Sequence, residues 1–224
     1  MTPERPPHPG KIVCVGRNYR AHAAELGNEV PREPLIFLKP PSSVIHDGDS
    51  IILPDTSKQV EYEGEIGIVI GARLKDATED ESRAAIAAVI ALNDVTARDL
   101  QRSDGQWTRA KGFDTFCPVG PPVDPPSDLS TLTVTTHVNG ALRQSGRASE
   151  MVFPIPFLLS YISRIMTLEP GDYVATGTPS GVGPLVAGDV VEVTAGGSAV
   201  RSEVRDTATK TGSRKQKAES SHAS

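Results

Sequence analysis

Two cysteines, Cys14 and Cys117, are too few in 224 residues for a disulfide framework, and they form no Cys-x-x-Cys metal spacing. Cys14 falls inside the apolar run Ile12 to Val15, where a buried reduced thiol is expected. Excess positive charge is lacking too. The net charge is −5, with no basic stripe for a nucleic-acid backbone and no polybasic patch for a membrane. The longest apolar run, Ala84 to Leu92, falls far short of the roughly 20 residues that span a bilayer. Met1 to Pro7 holds no apolar stretch of the kind a secretory signal needs. No internal repeat appears, and the Gly-rich run Thr176–Gly183 has neither the Walker Gly-Lys-Ser/Thr ending nor the Rossmann spacing. A cytoplasmic protein with no nucleic-acid or membrane partner is the expectation.

What is present is a strand-rich body. The length allows one domain that buries about 70% of the unfolded chain's surface. Residues 1–10 are proline-rich and expected to be a flexible start, residues 11–206 form the folded body, and residues 207–224 read as a disordered polar tail. Strands are predicted at Ile12–Val15, Leu35–Leu38, Ser50–Leu53, Ile66–Ile70, Thr133–Val138, Ala141–Gln144, Asp172–Thr176 and Asp189–Val193. Asn139-Gly140 supplies the two positive φ angles of a type I′ hairpin turn.

Helices are fewer. Thr78-Glu79-Asp80-Glu81 is a capping box that predicts a helix running to about Ala87. Met151, Ile155, Leu158, Leu159 and Ile162 recur at helical spacing, and Pro154 and Pro156 confine the regular helix to the stretch from Ile155 onward. Tyr19 to Leu26 suits one or two helical turns closed by Gly27. The fold class is α+β, predominantly β.

Glu63 and Glu65 flank one glycine at the entrance of a strand. Residues two apart in a strand face the same way, with Cα atoms roughly 6.6 Å apart. Two carboxylates so placed repel each other unless a cation lies between them; the alternative is a solvated acidic strand face. Asp94 ends a second apolar strand, either as a turn residue or as the third oxygen ligand of a site suited to Mg²⁺ or Mn²⁺. Nothing resembles the Asp-rich twelve-residue loop that calcium favours.

His22 and Glu25, three apart on a helical turn, make either an exposed ion pair or an imidazole whose basicity a carboxylate raises. Lys111 precedes a glycine in the aromatic-bearing stretch Trp107–Phe116, where it is either solvated or a point charge for a carboxylate or enolate. Thr176–Gly183 is either an ordinary turn or a loop offering N–H groups and hydroxyls to a small anion.

These segments together resemble the fumarylacetoacetate hydrolase family, closest to its short single-domain members, from about Lys11 to Val193. The resemblance rests on Val15–Tyr19, Phe37–Pro40, Glu63–Glu65, Asn93–Asp99, Trp107–Phe116 and Thr176–Gly183, six motifs in family order and spacing. It implies a mixed β-roll for residues 11–206, usually a homodimer. It further implies that Glu63, Glu65 and Asp94 bind Mg²⁺ or Mn²⁺, and that His22, Glu25 and Lys111 are catalytic. Arg17, Gln101 and Thr178 would contact substrate.

The activity expected first is hydrolysis of a C–C bond in a small 2,4-diketo acid through a metal-stabilised enolate, with a small anionic ketoacid as the binding partner. Oxaloacetate decarboxylation and isomerisation of a hydroxylated dienedioate are the rivals on the same site. An inactive metal-binding scaffold is the reading from another class. One departure from the family is visible: Thr194–Val200 lacks the Gly-Ile-Gly and Leu-x-Asn pattern that usually closes the domain, which puts the last strand in question.

Overall fold

The computed structural model describes residues 8–21 and 31–207. Its strands, in chain order, are β1 (Ile12–Gly16), β2 (Leu35–Lys39), β3 (Val44–His46), β4 (Ile51–Leu53), β5 (Val60–Tyr62), β6 (Gly64–Ile70), β7 (Ile86–Asn93) and β8 (Thr96–Ala97). There follow β9 (Cys117–Val119), β10 (Thr133–Val138), β11 (Ala141–Arg147), β12 (Tyr173–Ala175), β13 (Gly183–Pro184), β14 (Val190–Ala195) and β15 (Ser198–Asp206). The helices are α1 (Glu79–Ala84), α2 (Arg98–Asp104), α3 (Thr108–Lys111) and α4 (Ile155–Ile165). The expected flexible start (1–10), helical turns over Tyr19–Leu26 and polar tail (207–224) fall largely outside the described residues.

A seven-stranded mixed sheet runs β2-β1-β12-β6-β7-β9-β3, and a five-stranded sheet runs β11-β10-β14-β15-β4. A small third sheet, β13-β5-β8, lies beside the site. The larger sheet curls on itself, as expected of a mostly β roll. Its register explains how one face becomes a core and a site at once. Phe37 pairs Cys14, Cys14 pairs Ala175, Ala175 pairs Gly67, and Gly67 pairs Ile90, so all five share one face. Two residues further along β6 and β7, Glu65 and Leu92 lie opposite each other on that face. The opposite face carries Val13, Ile66, Ile68, Val89 and Val174, which join the large core together with α4 and the five-stranded sheet.

Local signals held in several places. The Asn139-Gly140 turn has φ of 52° and 79°, both positive as a type I′ hairpin requires. The Thr78 capping box forms in full. Helix α1 nevertheless stops at Ala84 rather than Ala87, because Ile86 already pairs Ile70 and Gly71 N–H bonds to Ala85 O. Sheet pairing outweighs local helix preference there.

The missing closing motif does not remove the last strand. Gly196 and Gly197, both at positive φ, turn the chain, and β15 runs nine residues between β14 and β4. Its inward positions alternate Ser198, Val200, Ser202 and Val204, a period the two serines disguise in the sequence.

Candidate functional site

The rim of the curled face is where the acids gather. Glu63 immediately precedes β6, Glu65 lies within it, and Asp94 follows β7 directly. The antiparallel pairing of Gly64 with Asn93 brings them together. Asp94 N–H donates to Glu63 O at 2.8 Å, and Asn93 Oδ1 accepts from Glu63 N–H at 3.0 Å. One carboxylate oxygen from each of Glu63, Glu65 and Asp94 lies within 4.8 Å of the others. The three are 6%, 1% and 0% exposed, so the solvated-face alternative is overturned.

Buried carboxylates so close require positive charge. Lys111 Nζ bridges Glu63 Oε2 at 2.8 Å and Asp94 Oδ2 at 2.6 Å. Lys39 Nζ donates to Asp94 Oδ1 at 2.7 Å and to the Val95 and Lys111 carbonyls. Arg98 reaches Glu61 Oε2 at 2.7 Å, Gln101 Oε1 at 2.6 Å and also Glu63 Oε1. Both oxygens of Glu63 and both of Asp94 thus face a cation.

Glu65 differs. Its Oε2 accepts the Gly177 N–H at 2.7 Å, and among the described residues no cation is bonded to it. Burial first, then Asp94 and Glu63, push its carboxyl well above the usual range, while Gly177 pulls the other way. Burial alone would lower the Lys111 ammonium, but Asp94 and Glu63 hold it above its ordinary value, so it stays charged. A cluster in which one buried carboxylate still lacks a counterion fits one more cation. The donor set is oxygen alone, which suits a hard divalent ion.

The cleft over this cluster is lined by Arg17, Gln101, Thr178, Lys111 and the three carboxylates, so these sequence candidates converge on one place. Arg17 sits in the left-handed region at φ 59° and has no ion-pair partner among the described residues. Gln101 spends its amide oxygen on Arg98, and among the described residues its N–H groups have no partner, so they can face a ligand. Thr178 Oγ gives its one proton to Gly64 O at 2.8 Å. Lys111 is not a solvated loop residue. It ends the short helix α3, its N–H bonded to Trp107 O at 3.0 Å, and is 1% exposed. His22 and Glu25 lie outside the described residues.

Sequence reasoning missed Lys39, Arg98 and the aromatic wall. Phe37 and Trp107 meet edge to face at 5.2 Å along the cleft, and Lys111 Nζ stands 5.0 Å from the Phe37 ring centre. The signal for the two cations was charge balance: three gathered acids demand bases, and both residues lie in motifs that carried the family resemblance.

A curled mixed sheet whose inner rim gathers buried acids and fixed cations at one cleft defines the class: a β-roll enzyme with an acidic site suited to a divalent cation. A family model described as the fumarylacetoacetate (FAA) hydrolase C-terminal domain matches residues 11–205, and the chain belongs to the fumarylacetoacetate hydrolase family. The mitochondrial oxaloacetate tautomerase of Arabidopsis thaliana is 46% identical over 192 residues, covering 83% of this chain and 85% of that protein. The mitochondrial oxaloacetate decarboxylase of Dictyostelium discoideum is 44% identical over 189 residues, covering 81% and 87%. The solved fumarylpyruvate hydrolase of Pseudomonas aeruginosa, in complex with Mn²⁺ and pyruvate, is 29% identical with a TM-score of 0.83. That match covers 92% of this chain and 98% of that one. No helix among the described residues is long and apolar enough to cross a membrane.

Proposed function

We propose that this chain is a Mg²⁺- or Mn²⁺-dependent enzyme that interconverts the keto and enol forms of a small 2-keto diacid of the oxaloacetate kind, or decarboxylates it. The observation that carries the reading is Lys111, a buried and charged ammonium held beside three carboxylates in one cleft. The residues that would hold the cation are Glu63, Glu65 and Asp94. A bound divalent ion supplies Lewis-acid stabilisation to negative charge growing on a keto oxygen.

The chain's own groups do the rest. Lys111 adds a fixed positive charge beside the site, in surroundings that exclude water and so strengthen it. Arg17, with no ion pair among the described residues, offers a guanidinium to a substrate carboxylate. Gln101, oriented by Arg98, donates its amide N–H to the ligand. His22 with Glu25 is the base assigned to move the proton on carbon.

This moves the leading reading away from the C–C hydrolase expected first. The relatives named for oxaloacetate chemistry are 46% and 44% identical, against 29% for the fumarylpyruvate hydrolase. Enolate chemistry of this kind needs no attacking water. Hydrolysis of an acylpyruvate stands as the second reading, favoured by the coverage of that solved hydrolase from end to end.

The deciding experiment gives the purified protein, loaded with Mg²⁺ or Mn²⁺, three substrates: oxaloacetate, acetylpyruvate and fumarylpyruvate. Faster decay of the enol absorbance of oxaloacetate, or CO₂ release, is the expected result. Cleavage of the diketo acids with neither effect on oxaloacetate rejects the proposal in favour of the hydrolase.

A further inference from the structure

Gly64, between the two glutamates, has both of its backbone polar groups held by side chains, the N–H by Gln144 of the other sheet and the carbonyl by Thr178 of the loop after β12. Strand alternation turns Glu63 and Glu65 toward the cleft and Gly64 away from it. On that far side lies Gln144 of β11, 1% exposed. Its Oε1 accepts the Gly64 N–H at 2.9 Å. Its amide nitrogen donates to Thr178 Oγ at 2.8 Å and to Pro179 O at 2.9 Å. Thr178 Oγ in turn donates to Gly64 O at 2.8 Å, closing a ring that begins and ends on the same residue.

No larger residue fits at position 64, because a Cβ there would come within 2.0 Å of Thr136 Oγ on β10. The hairpin β10–β11 therefore abuts the metal-site segment directly. Gln144 is not among the residues that line the cleft, so any influence it has on the site passes through Gly64 and Thr178. The next residue back along the loop from Thr178 is Gly177, whose N–H holds Glu65. Gln144 thus ties together the segment that aims two carboxylates and the loop that orients one of them.

We propose that Gln144 is a positioning residue, fixing the spacing between the Glu63–Glu65 segment and the Gly177–Pro179 loop on which cation binding depends. The inference rests on the proposed metal site. Its side chain commits both amide N–H groups and its oxygen to these partners, so substitution leaves the Gly64 N–H unanswered and lets the loop shift against the strand.

The test compares Gln144→Met, which keeps the volume and loses the polar end, with Gln144→Ala and with a control, Val134→Ala, in the buried face of β10. Mn²⁺ dissociation constants come from calorimetry, melting temperatures from the metal-free proteins, and KM and kcat from turnover on the best substrate. Gln144→Met is expected to weaken Mn²⁺ binding about tenfold, the scale seen when a group that orients a ligand is lost. KM should rise with it, while kcat at saturating Mn²⁺ and substrate stays within about threefold. Val134→Ala should lower the melting temperature and leave the Mn²⁺ constant unchanged. Equal weakening by Val134→Ala, or Mn²⁺ affinity unaltered in both Gln144 variants, overturns the inference alone. Failure of the wild-type chain to bind Mn²⁺ overturns the metal reading and this inference with it.

Discussion

At the floor of the curled sheet Ile12, Cys14, Ile90 and Tyr173 pack without a charge among them, whereas Lys39 at the end of β2, Glu65 on β6 and Asp94 just past β7 are as deeply buried. The two regions share a face, a register and nearly complete exclusion from water. They differ in what compensates burial. The floor gains free energy directly from apolar area removed from water. The rim offsets the cost of desolvating charges by pairing nearly every carboxylate oxygen with a lysine, an arginine or a backbone N–H. The floor holds the strands rigidly, and the rim uses that rigidity to keep like charges closer than flexible side chains would tolerate.

The sharpest way to break the contrast is Asp94→Asn. It removes one of the carboxylates proposed to hold the cation and leaves Lys39 and Lys111 without their shared partner. Turnover should fall about a thousandfold or more, roughly 4 kcal/mol of lost transition-state stabilisation. Metal-free stability should fall by about 3–5 kcal/mol, as when one partner of a buried pair is removed. Steady-state kinetics and urea unfolding measure the two.

On the floor, Ile90→Ala should cost about 2–5 kcal/mol by leaving a cavity, with Mn²⁺ affinity altered far less than stability. A loss of Mn²⁺ binding equal to that of Asp94→Asn would dissolve the distinction between the regions.

Glu65 sharpens the comparison from within the rim. Its raised carboxyl favours the proton in the folded chain. In metal-free protein, stability should therefore decline as pH climbs above the unfolded carboxyl value of about 4.3. Added Mn²⁺ should raise the melting temperature more at pH 8 than at pH 5, because the cation binds the ionised form. Glu65→Gln should abolish that gain and leave the metal-free protein no less stable at pH 8. A metal-free melting temperature that falls as steeply as in Asp94→Asn would show that Glu65 is compensated after all.

The smallest effect concerns the thiols. Burial first pushes Cys14 well above its ordinary value and Cys117 up to about 12. Neither should react with iodoacetamide in the native protein at pH 8, as mass spectrometry of the intact chain reports. Prompt labelling of Cys14 or Cys117 would mean that the floor opens.

The carboxylates of the rim were legible in the sequence because strand alternation and a short antiparallel pairing are local facts, readable from Glu63-Gly64-Glu65 and from the apolar run ending at Asp94. Of the cations only Lys111 was singled out, and its pairing with Asp94, like the roles of Lys39 and Arg98, was not legible. Lys39 and Lys111 reach Asp94 only after strands from distant parts of the chain assemble into one sheet, and no periodicity announces such a meeting. Arg98 stood four residues from Asp94, yet its partners lie on β5 and just before β6. Strand β15 hid for another reason: Ser198 and Ser202 take inward places that a hydropathy pattern reserves for apolar side chains. Ser198 is accommodated there because its Oγ donates to Pro121 O and accepts the Ala91 N–H.

The position of β15 has a consequence for synthesis on the ribosome. It lies between β14 and β4, antiparallel to one and parallel to the other, so β4, made early, waits for its neighbour until Ser198–Asp206 has been translated. Until Ser198–Asp206 leaves the exit tunnel, β4 is an open edge and the five-stranded layer has a gap. Nascent chains arrested shortly before that point should present this edge to chaperones, and release of the last strand should be the step that makes them resistant to protease.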